Sequence, residues 1–285
     1  MSAQYLVPTG IDEALSLMAS RPVSVVAGGT DYFPAQQRKP VRKDILDITR
    51  IPDLAGIQHR PDGSIRIGAA TSWTRIVQAD LPPSFTALKQ AAREVGSIQI
   101  QNAGTVGGNI CNASPAADGI PPLLILDAAV EVSGPGGVRT MPLADFVTGV
   151  RQTALEPGAL LTAIVIPAQS HASASAFEKL GARRYLVISI AMTAALVTLD
   201  AAGRIAEARV AVGSCSAVAR RLPELETALV GQRPDALHFD PSCLSPLAPI
   251  SDVRADAGYR SEAAAEQVRR AVLAATSHST GQPHG

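Results

Sequence analysis

Short apolar runs alternate along the chain with stretches in which apolar residues recur every three or four positions. Runs rich in Val and Ile are typical of buried strands, whereas the longer spacing is typical of helices that bury one face. The runs predict strands over 23–27, 44–48, 65–68, 129–132, 138–141, 160–167, 176–180, 189–199 and 204–212. The spacing predicts helices over 12–18, 71–80, 88–95, 123–126, 223–229 and 262–276. Thr9, three residues before Asp12, is the expected N-cap of the first helix.

Changes in the composition of the chain divide it into parts. Residues 1–55 are predicted to form a small β-α-β unit, and the small polar stretch after 170 marks a domain boundary. The first domain then covers 1–170, with parts 1–55 and 56–170, and the second covers 171–276. The turn at 200–203 joins two predicted strands, so the second domain is expected to contain an antiparallel sheet. Residues 277–285 have nothing to bury and are expected to be disordered.

Two glycine-rich loops are the most informative feature of the chain. The first glycine loop follows the predicted strand over 23–27 and consists of Ala27, Gly28, Gly29, Thr30 and Asp31. The second glycine loop, 104–118, includes Thr105, Gly107, Gly108, Asn109, Ser114 and Asp118. Glycine lets the backbone approach a ligand because it has no Cβ and accepts φ above zero, and such turns can aim several N–H groups at one anion. The amides of 28–31 and 107–109, with the hydroxyl of Thr105, are therefore predicted to bind the two phosphates of a dinucleotide.

Each of these residues also has an ordinary structural role available to it. Gly28 and Gly29 could form a tight turn, and Asn109 could be a left-handed residue without a ligand. Ser114 could begin a turn, and Asp118 could cap a following helix. Neither loop ends in the Gly-Lys-Ser/Thr of a Walker loop or opens a long helix with Gly-x-Gly-x-x-Gly, which disfavours a triphosphate site and a Rossmann site. A phosphate would repel the carboxylate of Asp31, so we expect that side chain to turn away from the ligand.

Composition excludes several classes of protein. The 25 basic and 25 acidic residues give a formal net charge of zero, so there is no electrostatic case for binding nucleic acid or an anionic membrane. The three cysteines and five histidines are scattered without the spacing of a disulfide framework or a metal site. An iron–sulfur centre normally takes four cysteines, so we expect no metal in this chain. No signal-like start and no apolar run long enough for a bilayer is present, and we expect a cytoplasmic protein.

The two glycine loops together resemble those of the FAD-binding subunit of the molybdenum hydroxylases, the family of xanthine dehydrogenase and aerobic carbon monoxide dehydrogenase. The resemblance continues through 151–158, 164–167, 176–184, 207–213 and 251–260. It implies an α+β fold, with a two-part FAD-binding domain of the vanillyl-alcohol-oxidase (PCMH) type, followed by a small α/β C-terminal domain, CO-dehydrogenase-flavoprotein-like, with an antiparallel sheet. It also implies that the loop residues bind FAD together with Leu161 and Lys179, and that Asp118 forms a hydrogen bond to the cofactor.

The resemblance implies an electron-transfer subunit without a catalytic residue of its own. Electrons would come from [2Fe–2S] centres in a separate small subunit, and a molybdopterin-binding large subunit would hydroxylate the substrate. FAD in this chain would pass the electrons to NAD⁺, oxygen or another acceptor, and the complex would be a heterotrimer, doubled to a dimer of heterotrimers. A cation such as Lys179 near the flavin would stabilise its reduced form. Two alternatives stay open: a stand-alone FAD-dependent reductase of the same fold, and a non-catalytic scaffold that has lost its cofactor.

Overall fold

The computed structural model describes residues 3–36, 42–183 and 187–279, and it begins with a small parallel sheet. Its strands are β1 (Tyr5–Leu6), β2 (Val23–Val26) and β3 (Asp44–Asp47), in the order β1-β3-β2. Helix α1 (Ile11–Ser20) precedes β2, and the short helix α2 (Tyr32–Gln36) follows the first glycine loop. The two strands predicted in this part are thus confirmed to within one residue, and the first glycine loop directly follows β2.

The start of α1 differs from the sequence-based expectation. Gly10, and not Thr9, is the N-cap, and it has no side chain to cap the helix. Thr9 instead donates from its backbone nitrogen and its hydroxyl to Oε2 of Glu13, at 2.8 and 3.2 Å. The carboxylate in the first turn therefore holds the incoming chain, which is the reciprocal half of a capping box displaced by one residue.

A five-stranded antiparallel sheet forms the middle of the chain, in the order β4-β5-β10-β6-β7. Beside it, β8 and β9 form a small separate hairpin. The strands are β4 (Ile57–His59), β5 (Ile65–Gly68), β6 (Ala129–Gly134), β7 (Gly137–Pro142), β8 (Val147–Gly149), β9 (Gln152–Thr153) and β10 (Leu160–Ile166). The central strand β10 is almost entirely buried, which fits its unbroken apolar sequence.

Helices cover one side of this sheet and carry the second glycine loop. They are α3 (Trp73–Gln78), α4 (Thr86–Glu94), α5 (Ile98–Ala103), α6 (Val106–Asn112), α7 (Ile120–Ile125) and α8 (Leu143–Phe146). Their buried side chains, among them Trp73, Leu88 and Leu123, share one core with the sheet residues Ile67 and Val130. Because α6 lies within 104–118, the structure shows that the second glycine loop is partly helical, although the sequence indicated a loop.

The C-terminal part consists of a four-stranded antiparallel sheet, in the order β11-β12-β13-β14, with helices packed on it. Its elements are β11 (Ser173–Leu180), β12 (Ala191–Leu199), β13 (Ile205–Gly213), β14 (Arg220–Arg221), α9 (Pro223–Leu229) and α10 (Ala257–Ser279). Val268 and Val272 of α10 pack on one face, whereas Phe177 and Leu196 contribute to the core of the preceding part. The predicted antiparallel sheet is confirmed, and α10 continues through Ser279, so 277–279 are helical and not a disordered tail. Residues 280–285 lie outside the described residues.

Two kinds of feature are missing from the described ranges. Among their helices, none combines the length and the apolar character needed to cross a lipid bilayer. Nor do these ranges bring three or more His, Cys, Asp or Glu side chains together in a group that could hold a metal ion.

A charged cluster fastens the start of α10 to the sheet. Arg260 is fully buried and donates to the carbonyl oxygens of Ile190 and Ser214 and, at 2.8 Å, to Oδ1 of Asp252. Arg254 donates from its backbone nitrogen and its guanidinium to the same carboxylate, at 2.8 and 2.6 Å. Arg254, followed by Arg260, holds the pKa of the Asp252 carboxyl well below its usual range.

We expect Asp252→Asn to destabilise the protein at pH 7 and to have a smaller effect in acid. Because the folded-state pKa is depressed, the stabilisation is present above the unfolded pKa of about 3.9 and is lost as the pH falls through the folded value. Urea midpoints of both proteins at pH 7 and at about pH 3 measure this convergence. A loss of stability that stays the same at both pH values would contradict the expectation, since it would mean that the carboxylate charge does not matter.

Candidate functional site

The two glycine loops line one cavity, which we call the loop cavity. Its volume of about 680 Å³ lies within the range of roughly 300–1,000 Å³ typical of small-molecule sites. Of the residues predicted from the sequence, those that line it are Ala27, Gly28, Gly29, Thr30, Asp31, Thr105, Gly108 and Asn109. Segments that are far apart in the chain are thus brought to one site, as the sequence analysis expected.

Gly28 packs directly against the backbone that leads into the second glycine loop. A Cβ placed on Gly28 would overlap the carbonyl oxygen of Ala103 and lie 2.9 Å from the Cα of Gly104. A Cβ on Gly104 would itself lie 3.4 Å from Oγ1 of Thr30. Because the neighbouring atoms at Gly28 belong to the backbone, they have no alternative rotamer, and only glycine permits this contact between the loops.

The first glycine loop keeps its N–H groups available. Across the described part of the chain, the amides of Gly28, Gly29, Thr30 and Asp31 donate to no other residue. Gly29 is left-handed, with φ of +67°, and the carbonyl oxygens of Gly29 and Asp31 accept bonds from the first turns of α2. Consecutive free N–H groups along a cavity wall suit an anion such as a diphosphate, since hydrogen bonds to a charged acceptor are the strong ones.

The amides of the second glycine loop have different partners from those expected. Gly107 donates to the carbonyl oxygen of Ala69 at 2.9 Å, Gly108 to Oγ1 of Thr105 at 3.1 Å, and Asn109 to the carbonyl oxygen of Thr105 at 3.0 Å. Because Thr105 caps α6, the bonds from Gly108 and Asn109 close the first turn of the helix, whereas the bond from Gly107 joins α6 to Ala69. These amides are therefore not free donors for a phosphate, and Gly107, which does not line the loop cavity, serves the close packing of α6 on Ala69.

The side chain of Asn109 is the part of the second glycine loop that lacks a partner. Its Oδ1 is buried and accepts no hydrogen bond from any described residue. Asn109 lines the loop cavity, and a buried polar atom without a partner costs about 1–3 kcal/mol. A ligand with a hydroxyl or N–H group in this cavity would remove that cost.

Asp118 and Lys179 form a buried ion pair between the two parts of the chain. Nζ of Lys179 lies 2.6 Å from Oδ2 of Asp118 and donates at 3.2 Å to the carbonyl oxygen of Glu94. The hydroxyl of Ser189 donates to Oδ1 of Asp118 at 2.6 Å. Burial raises the pKa of the Asp118 carboxyl, against the opposing influence of the Lys179 ammonium and the Ser189 hydroxyl. The carboxylate therefore binds the C-terminal sheet and does not act as a simple helix cap.

Lys179 also lines a second cavity, of about 570 Å³, which we call the α4–β11 cavity. Its walls come from α4, with Arg93 and Glu94, and from the end of β11 and the segment after it. Asp118, Ser114 and Leu161 line neither the loop cavity nor the α4–β11 cavity. Leu161 is buried in β10, and Oγ of Ser114 accepts a bond from the backbone of Ala116 at 3.3 Å, as in the turn alternative.

Several residues line the loop cavity although the sequence did not assign them to a cofactor site, among them Trp73 and Arg151. Trp73 was predicted only as part of a helix, whereas Asn112, also on the cavity wall, is one of the polar residues of the second glycine loop. Arg151 lies in the turn between β8 and β9, in a segment whose only distinguishing feature in the sequence is the family resemblance. No local signal marks it, because the hairpin reaches the cavity through contacts with the end of α6.

Comparison with known proteins agrees with this geometry. A family model described as the FAD binding domain in molybdopterin dehydrogenase matches residues 1–169, and one described as the CO dehydrogenase flavoprotein C-terminal domain matches 175–275. The carbon monoxide dehydrogenase medium chain of Afipia carboxidovorans is 32% identical over 283 residues, covering 95% of this chain and 96% of that protein. A xanthine dehydrogenase FAD-binding subunit of Escherichia coli O157:H7 is 36% identical over 216 residues, covering 74% and 73%.

A solved structure has the same fold. It is that of the Cu,Mo-CO dehydrogenase in its cyanide-inactivated form, with a TM-score of 0.87 and 29% sequence identity. The similarity covers 98% of this chain and 99% of the matched chain, so it includes both the part with the loop cavity and the C-terminal sheet.

Proposed function

Because the chain belongs to the family of FAD-binding domains of molybdopterin dehydrogenases, we propose that it is the FAD-carrying electron-transfer subunit of a molybdenum hydroxylase. Electrons reach its FAD from [2Fe–2S] centres of a partner small subunit and leave to NAD⁺, oxygen or another acceptor. A molybdopterin-binding large subunit completes a cytoplasmic heterotrimer, which doubles to a dimer of heterotrimers. The part that binds FAD is 1–170, and 171–276 is the C-terminal domain.

The contact between the two glycine loops is the observation that carries this proposal. It leaves free N–H groups at 28–31 and the unpaired Oδ1 of Asn109 on the wall of one cavity of suitable size. In an extended ligand, a diphosphate can accept from the free N–H groups, and a hydroxyl group can donate to Oδ1 of Asn109. The residues present therefore fit FAD, which the family membership independently indicates.

The proposed roles follow from the hydrogen-bond donors and acceptors of each residue that have no partner within the described part of the chain. The amides of 28–31, with Ala27 directly after β2, bind the diphosphate, and the hydroxyl of Thr105 and the side-chain amide of Asn109 bind polar groups beside it. Gly107 lets α6 pack closely on Ala69, and Gly108, on the cavity wall, leaves room for the Thr105 hydroxyl that caps the helix.

The ion pair and its neighbours have a supporting role in the proposal. Bound FAD supplies a ring that accepts single electrons and releases pairs. The ammonium of Lys179, held by Asp118 at the edge of the α4–β11 cavity, favours extra negative charge on that ring. Leu161 and Ser114 line neither cavity, and we propose that they support the cofactor site from behind the residues that do.

Purification of a tagged chain from its own cells tests the proposal. The expected product is yellow, releases FAD and not FMN on boiling, and contains two further chains, one with [2Fe–2S] centres and one with molybdopterin. Its flavin absorbance should bleach with the substrate of the complex only while all three chains are present.

Two outcomes would contradict the proposal. A colourless preparation that releases no flavin would indicate the scaffold alternative. An isolated chain that contains FAD and turns over a substrate without partner subunits would indicate the stand-alone reductase.

A further inference from the structure

Arg151, in the turn between β8 and β9, lines the loop cavity at the end of α6. We propose that Arg151 is a cofactor-binding residue whose guanidinium binds the phosphates of FAD. The proposal depends on the proposed FAD role of the loop cavity. It adds a cationic ligand to a site for which the sequence predicted binding by backbone amides and the hydroxyl of Thr105.

The charge of the cavity wall supports this assignment. Among the described residues that line the loop cavity, Arg151 is the one lysine or arginine and Asp31 is the one carboxylate. A diphosphate brings two negative charges to a wall that, without Arg151, would carry a net negative charge. The N–H groups of the first glycine loop contribute only partial charges, so Arg151 is the available full counter-charge.

The backbone of Arg151 is the second observation. Its φ of +57° is left-handed, a conformation that glycine or asparagine adopts more readily than arginine. Its N–H donates to the carbonyl oxygen of Ala113 at 2.8 Å, and Ala113 is itself left-handed, with φ of +44°. Such strain collects at ligand sites, where the surrounding structure maintains it. The turn requires a left-handed residue, a requirement that glycine or asparagine would meet with less strain. The arginine side chain must therefore have a role of its own at this position.

Most N–H donors of the Arg151 guanidinium have no partner among the described residues. It donates from Nη1 to Oδ1 of Asn112, another residue of the cavity wall, and no described residue accepts from its other N–H groups. Arginine carries five N–H donors in a planar fork that matches a phosphate in two-bond geometry. The bond to Asn112 holds one nitrogen of the guanidinium at the end of α6, while the remaining donors stay available for a ligand.

Titration of the full-length apoprotein with FAD, ADP and riboflavin tests the assignment. For Arg151→Ala we expect the Kd for FAD and for ADP to rise about tenfold to a hundredfold, the range for a charge-assisted hydrogen bond. The Kd for riboflavin, which has no phosphate, should stay unchanged. Arg151→Lys keeps the charge and should recover most of the FAD affinity at low salt. Arg139→Ala, which removes an exposed arginine of the β6–β7 hairpin outside the cavity, is the matched control and should bind FAD like the wild type.

A comparison of Arg151→Gly with Arg151→Ala separates the cation from the backbone. Glycine accepts the left-handed conformation without strain, so Arg151→Gly should have a higher Tm than Arg151→Ala. Both variants lack the guanidinium and should bind FAD equally weakly. Stability would then follow the backbone conformation, while affinity would follow the charge.

The outcomes separate this assignment from the proposed function. Wild-type chain that binds no FAD would overturn both. Wild-type binding with an Arg151→Ala Kd within twofold would overturn the assignment alone, as would an equal loss for riboflavin and FAD.

Discussion

Gly28→Ala is expected to abolish FAD binding and to destabilise the protein by at least about 2 kcal/mol. The added methyl group would overlap the carbonyl oxygen of Ala103 and approach Gly104. Since both are backbone atoms, relief requires the first glycine loop to move away from the second, which would separate the donors on the two sides of the loop cavity. Flavin content after purification and urea unfolding measure the two effects.

Gly136→Ala is the matched control for this substitution. Gly136 lies in the turn between β6 and β7, and a Cβ there would meet no atom within 4 Å. Its variant should keep its flavin and its urea midpoint. A Gly28→Ala protein with a full complement of FAD would refute the claim that the direct contact between the loops builds the site.

Asp118→Asn and Lys179→Met are each expected to destabilise the protein by about 3–5 kcal/mol, because each leaves a buried partner without its counterpart. The side chains are 8% and 9% exposed, and their atoms lie 2.6 Å apart. The double variant should lose less stability than the sum of the two single variants, because no unpaired charge remains. Urea unfolding of the four proteins gives the coupling free energy directly.

Lys179→Met has a second expected effect that a structural loss alone would not produce. The midpoint potential of the bound flavin should become more negative, because the cation that favours the reduced form is gone. Glu156→Gln, which breaks the exposed pair with Arg139, is the control and should change neither stability nor potential measurably. Additive destabilisation together with an unchanged potential would show that the pair has neither role.

The positions of most strands and helices followed from local patterns. The apolar runs at β2, β3 and β10 and the turn before β13 are local features, and a buried strand needs only such a run with a turn at its end. The second glycine loop is the exception. Two adjacent glycines, Gly107 and Gly108, disfavour a helix by about 1 kcal/mol each. The cap from Thr105 and the packing of Gly107 on Ala69 outweigh that preference, and the second of these is a contact between distant residues.

The pairing inside the site is of the same long-range kind. Asp118 and Lys179 were both named as cofactor residues, yet nothing in either segment indicated that they bind each other across 61 residues of sequence. Arg151 meets Asn112 across 39 residues, at a turn without any motif. A hydrogen-bond partner is decided by which segments the fold brings within about 3 Å, and local periodicity carries no information on that distance.

The amino-acid sequence by itself therefore determined the class of cofactor, the two glycine loops and the order of most of the strands and helices. Each of these depends on residue types within one short segment, such as the missing Cβ of Gly28 or the spacing along α4. Only the tertiary structure decided that the amides of 28–31 stay free while those of 107–109 are used, that Lys179 is held by Asp118, and that Arg151 is placed on the cavity wall. The physical reason is that hydrogen-bonding and charged groups are satisfied by whichever neighbour the packing supplies, and those neighbours come from distant parts of the chain.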